Sequence, residues 1–276
     1  MELTKKGLTG FQLKYLAMIL MVLDHVQYFF EFTGKIPIWF SMLGRVSAPL
    51  FLFCVLEGFI HTHNRKKYFL QIYSIAIVMG LIMFSIVLFG LQRPDGFYPQ
   101  NQMLATLSIL LVILQGIDWC SKKQWGKGLA AIIIPTILPF VAIFIGSRIN
   151  SAWLVINILN YSILPLHTWI MDGGTYFILQ GVLMYAFRKN RKVQVVVFVV
   201  STLILYGVLP LTTMEGITLE ILLTKAFEWM SMFAAIPMLL YNGERGNGNK
   251  KFFYWFYPGH VYVLCALSYV LFYIIN

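Results

Sequence analysis

The sequence predicts an all-α fold, a polytopic bundle of transmembrane helices. Three observations carry that prediction. Of the 276 residues, 59% are hydrophobic and 12% are charged, about half the charged share of a soluble domain. The mean hydropathy is +0.75, and a soluble domain of this length has too little interior to hide so much apolar side chain. The apolar residues also fall in runs of about 20, the length that crosses a bilayer as a helix. Together they exclude a soluble enzyme, a disordered chain and a nucleic-acid-binding domain.

Nine candidate spans follow along the chain, at 11–31, 40–60, 69–91, 103–120, 129–147, 173–187, 193–213, 223–241 and 254–274. The first follows a short polar N-terminus. It is too long for a signal-peptide core and has no A-x-A-like cleavage site after it, so it reads as a retained span. The loops between spans alternate in charge. Basic groups lie at Lys5-Lys6, Arg65-Lys66-Lys67, Lys122-Lys123-Lys127, Arg188 to Lys192, and Arg245 with Lys250 and Lys251. Poorly charged loops lie at 32–39, 92–102, 148–172 and 214–222. An N-terminus inside places all five basic groups in the cytoplasm, as the positive-inside rule requires, and the C-terminus outside. This accounts for most of the net charge of +10 and predicts a multi-pass protein of the cell (plasma) membrane. Residues 151–171 carry no Lys, Arg, Asp or Glu and are long enough to cross, but crossing would invert the 188–192 cluster. Asn157, Asn160, Tyr161, Ser162, Pro165 and His167 also suit lipid poorly. The segment is therefore expected to be re-entrant or interfacial on the outer side.

Ionisable residues at membrane depth are costly and usually have a partner or a task. Lys14, Asp24 and His25 lie in the first span. Lys14 and His25 are eleven residues apart, which brings them to within roughly 20° of one face and about 16 Å apart along the axis. Asp24 points about 100° away from His25. Depth counting sets Arg45 of the second span level with His25, and Glu57 level with Lys14. Arg45 then either braces Asp24 or handles substrate, and Glu57 is either a counter-ion for Lys14 or part of a binding site. Lys225 and Glu228, three apart in the eighth span, are expected to pair with each other. His260 follows Tyr257 and Pro258 near the inner end of the last span.

A base beside cations suits acyl transfer. Histidine takes a proton from an acceptor hydroxyl or amine while a cation stabilises charge on the thioester oxygen. No nucleophile elbow or metal-ligand spacing is present. Cys54, Cys120 and Cys265 make no CxxC, and His61 with His63 lacks further ligands. A transporter or flippase is the alternative reading, because buried charges at two depths and a re-entrant segment also suit alternating access.

Four stretches, LKYLAMILMVLDHV at 13–26, GRVSAPLFLFCVLEGFIHTHNRKKYFLQI at 44–72, DGGTYFILQGVLMYAFRKN at 172–190 and YNGERGNGNKKFFYWFYPGHVYVL at 241–264, resemble the TraX family. These are membrane proteins named for acetylating the pilin of conjugative pili, and they look like a branch of a larger set of membrane acyltransferases. The resemblance implies a single integral membrane acyltransferase-like domain over 1–276. It implies an acyl group moved from cytoplasmic acetyl-CoA (acyl-CoA), without a metal, to an extracytoplasmic acceptor: a glycan, lipid or peptide. It points to Asp24, His25, Arg45, Glu57, Tyr257 and His260 as site residues, with His25 as general base, Arg45 or Lys14 stabilising charge, and Arg245, in the turn that carries the likeness, meeting the donor's phosphates. Lys14 and His25 match the Arg-ten-residues-His spacing of that larger set, with Lys in place of Arg. Where that pattern has Asp-Tyr-Gly, this chain has Asp172-Gly173-Gly174.

Overall fold

The computed structural model describes residues 6–149, 152–213 and 215–275. Their regular secondary structure is helical, with one isolated bridge between Leu8 and Tyr241 in place of any strand. Seven helices are long and apolar enough to cross a membrane: Gly10–Thr33, Trp39–His61, Arg65–Leu88, Met103–Ser121, Trp125–Gly146, Arg191–Thr213 and Lys250–Ile275. The chain is a multi-pass membrane protein of the predicted all-α class. Large apolar side chains such as Ile133, Phe144, Val196 and Val270 stand exposed along these helices, where lipid replaces water as solvent.

Two of the nine expected spans are shorter. Residues 173–187 form α8 (Gly174–Ala186, 13 residues), about 20 Å long against a hydrocarbon core of about 30 Å. Residues 223–241 are broken. α11 (Leu219–Thr224) stops at Lys225, a 3-10 stretch covers Phe227–Ala234, and α12 (Ala235–Leu239) completes the segment. The Trp229 indole donates to the Leu222 carbonyl at 3.0 Å, which satisfies one of the carbonyls that α11 leaves open. Residues 153–163 form α7 (Trp153–Ile158) running into a π-turn at Leu159–Ile163. Eleven residues are too few to cross.

The chain packs as two compact units, each built from separated segments. The first comprises residues up to Ile60 with Leu183–Lys250. It contains α1 (Gly10–Phe30), α2 (Trp39–Gly44), α3 (Ser47–His61), α9 (Arg191–Leu203), the continuation of α9 through a π-turn into α10 (Leu209–Thr213), and α11 to α12. α1 buries a ridge of Leu13, Ala17, Met21, His25 and Phe29 at four-residue spacing. The second unit comprises His61–Val182 with Lys251–Asn276. It is centred on α5 (Met103–Ser121), whose residues are mostly buried, between α4 (Arg65–Leu88) and α6 (Trp125–Gly146), and it also holds α7 and most of α13 (Lys250–Ile275).

Candidate functional site

Two polar clusters lie in the first unit, one toward each end of α1. Toward the C-terminal end, Arg45 Nη2 donates to Asp24 Oδ1 at 2.5 Å. The Ser41 hydroxyl donates to the same oxygen at 2.7 Å, and Arg45 Nε donates to the Ser41 carbonyl at 3.2 Å. Glu228 lies 3.7 Å from Arg45 Nη1. Arg45 is held there by a break in the second span. Pro49 has no N–H for the Arg45 carbonyl, and its ring crowds that carbonyl, so the helix splits into α2 and α3 at Arg45-Val46. α2 can approach α1 because residue 44 is glycine: a Cβ there would lie 2.3 Å from the Asp24 Cβ. The bracing of Asp24 by Arg45 is thus realised. The expected Lys225–Glu228 pair is not, because the helix ends between them and Glu228 faces Arg45 instead.

His25, one residue on, is 6% exposed. Its ring meets Phe29 edge-on at 6.2 Å and Tyr28 at 6.5 Å. Asp24 and His25 therefore serve different neighbours, as their 100° offset predicts.

The second cluster surrounds the N-terminal end of α1. The first N–H groups of a helix have no partner within it, and here the 240–246 turn supplies them. Gly10 N–H donates to the Glu244 carbonyl at 2.8 Å and Phe11 N–H to the Arg245 carbonyl at 3.0 Å. Thr9 caps Gln12 in a capping box. The turn itself is fixed by the Asn242 side chain, which accepts from Glu244 N–H at 2.9 Å. This brings Arg245 next to Lys14: both cations lie over the Phe11 ring, at 5.5 and 5.3 Å. Lys14 also has Cys54 and Lys250 as electrostatic neighbours.

Glu57 pairs with Arg191 at 2.9 Å. Arg191 lies over Phe53 at 4.3 Å and over Tyr241 at 5.2 Å, and its Nη1 donates to Gln194 Oε1 at 2.7 Å. Burial, and then the Glu57 charge, push the Tyr241 phenol up to about 12, so it is a neutral hydrogen-bonding group at physiological pH. Sequence reasoning passed over Arg191 because it sits in the 188–192 cluster, where a topology signal explains every cation equally well.

Tyr257 and His260 belong to the second unit. The Tyr257 hydroxyl lies 3.4 Å from Asp172 Oδ2, which also accepts from Met103 N–H at 3.2 Å. Asp172 therefore caps the start of α5, while Thr106 donates to the Asp172 carbonyl and accepts from Gly174 N–H, both at 3.1 Å. His260 Nδ1 is 2.8 Å from the Phe256 carbonyl. A carbonyl only accepts, so Nδ1 is the donor in this bond.

Comparison with known proteins places this geometry. Residues 9–268 match the sequence profile of the TraX protein family. The chain is 26% identical, over 94% of its own length and 95% of the relative's, to the Probable fimbrial assembly protein FimC, serogroup H1, of Dichelobacter nodosus. No solved structure matches.

Proposed function

The chain belongs to the TraX family, and from that premise we propose that it is a membrane acetyltransferase. It would move an acetyl or other acyl group from cytoplasmic acyl-CoA to an acceptor hydroxyl or amine at the outer face. The observation that carries the reading is the pair of polar clusters on α1, with a buried histidine toward one end and the Lys14–Arg245 cation pair at the other. In the proposed topology the N-terminus is cytoplasmic, so the cation pair faces the donor pool and His25 lies in the outer third. Arg245 and Lys14 would meet the CoA phosphates. Glu57, held by Arg191, would order the wall beside them; a donor role for Tyr257 and His260 rests on the family alone. His25 would remove the acceptor's proton as its oxygen or nitrogen attacks the thioester carbonyl. The carbon–sulfur bond then breaks, and CoA leaves as the thiol. Arg45 already faces two carboxylates, so its charge is largely compensated and its part is to fix Asp24 beside the base. The relative's name adds a pilus or fimbrial context, in which the acceptor would be an assembly component.

The test uses purified protein and radiolabelled acetyl-CoA. His25→Gln keeps a hydrogen-bonding side chain but cannot take up a proton near neutral pH. It should lower transfer by about 10² to 10⁴ and leave CoA binding intact, because the nucleotide binds at the far end of α1. Near-normal turnover in this variant would return His25 to a structural role. One observation favours a transporter: the interruption of the 219–239 segment at Lys225, a feature of alternating-access proteins. Solute flux in vesicles without acetyl-CoA turnover would select that reading.

A further inference from the structure

The second unit contains a cavity of about 80 Å³, several times what one ordered water needs. Its wall includes Tyr98, Gln100 and Gln102 from the segment before α5, Asn160 and Tyr161 from the π-turn, and Trp169 from the loop that follows. All six are neutral, three aromatic and three amide, and no other wall residue is charged.

Both sides of the cavity are fixed. The π-turn is closed by Leu164 N–H donating to the Leu159 carbonyl at 2.7 Å, and it is tied to α4 by the Tyr73 hydroxyl on the Ile163 carbonyl at 2.6 Å. It sits so close to α4 that a Cβ at Gly80 would lie 1.8 Å from the Tyr161 carbonyl oxygen. Single π-turns inside helices are frequent at functional sites. Opposite, Arg93 is 4% exposed. It forks onto Asp95 and stacks on Phe97 at 4.3 Å and on Phe272 at 5.0 Å, while Tyr269 donates to the Leu91 and Phe97 carbonyls. The segment carrying Tyr98, Gln100 and Gln102 is therefore anchored before any ligand arrives.

Asn160 is 7% exposed, and its Oδ1 is buried without a hydrogen-bond donor. An acceptor buried without a donor is destabilising, so a ligand that donates to it removes that cost. Trp169, 61% exposed, offers a flat apolar face at the rim. An anion or cation would enter this neutral wall without a counter-charge. An acyl chain would leave Asn160 unmet. A ring that has hydroxyls on its edge and C–H groups on its face satisfies both surfaces.

We propose that this cavity binds a neutral sugar unit, with its hydroxyls on Asn160, Gln100 and Gln102 and its C–H face on the aromatic rings. The binding site stands independently of acyl transfer; naming the sugar as the acetyl acceptor rests on the reading above. Full-length protein in detergent would be titrated with the methyl glycosides of glucose, galactose and N-acetylglucosamine, and with triglycine amide as a neutral peptide, by calorimetry. At least one glycoside should bind saturably. Trp169→Ala, at an exposed position, and Asn160→Leu should each weaken it by about tenfold or more, with melting curves showing that both variants are folded. Binding of the peptide alone, of no glycoside, or of a glycoside equally by wild type and Trp169→Ala would overturn the proposal. Acetyl-CoA turnover on the same preparations separates the two readings. Turnover without sugar binding removes this inference only. Sugar binding without turnover removes the acetyltransferase only.

Discussion

Glu57 and Arg191 lie 2.9 Å apart, with side chains only 12% and 28% exposed. Removing one partner from such a pair leaves the other charge in poor solvent, whereas removing both does not. Arg191→Ala should therefore destabilise the protein by about 1–3 kcal/mol, read as a lower melting temperature in detergent. Adding Glu57→Gln should restore part of the loss; a double variant as weak as the sum of both singles would show that the two residues are uncoupled. Arg245 makes a different prediction. A well-formed phosphate contact is worth roughly 1.5–3 kcal/mol, so Arg245→Ala should raise the Michaelis constant for acetyl-CoA about tenfold or more with little change in kcat. An unchanged constant would assign Arg245 to holding the 240–246 turn. At this scale the sequence was legible where a residue stood alone in apolar surroundings, as His25 and Asp24 do. It was opaque where a residue stood among its own kind. The partner of Glu57 is one of four basic residues between 188 and 192, and only the packing of Arg191 on Phe53 and Tyr241 singles it out.

Helix contacts in the first unit depend on small residues at close approaches. Gly44→Ala would put a Cβ 2.3 Å from that of Asp24, forcing α1 and α2 apart at a cost of about 1–3 kcal/mol and shifting the Asp24–Arg45 bond with them. Gly126→Ala is the control, since a Cβ there meets nothing within 4 Å. Comparable melting temperatures for the two variants would refute the close-approach account. Seven of the nine expected spans correspond to the long helices, because an unbroken apolar run leaves the backbone no alternative to helix in lipid. The expected span at 223–241 is interrupted rather than one continuous helix, for a local reason. Lys225 and Glu228 sit at helix spacing, but the Trp229 indole takes over a carbonyl of α11 and Glu228 turns to Arg45. Neither event leaves a mark in hydropathy.

For the whole molecule, the proposed orientation rests on charge: with all nine expected segments crossing, an N-terminus inside would put all five basic groups on one side of the membrane. In an otherwise cysteine-free chain, a cysteine at Gly126 should be shielded from an impermeant thiol reagent in intact cells, and one at Gln100 should be labelled. The reverse pattern would invert the topology. Labelling at Lys189 would mean that 151–171 crosses, against the eleven-residue length of its helix, or that the short α8 does not. The division into two units could not be read from the sequence, since neither unit is contiguous.

That interleaving sets a timetable for biosynthesis. Glu57 enters the membrane about 130 residues before Arg191 is translated, and Asp24 and Arg45 wait longer still for Glu228. At about 5–20 residues per second the first delay is roughly 7–26 s. Throughout it, an acidic side chain sits in the nascent helix pair without Arg191. A ribosome stalled before residue 190 would therefore leave Glu57 without Arg191, the kind of feature that membrane quality control removes, and such truncated chains should be short-lived in cells.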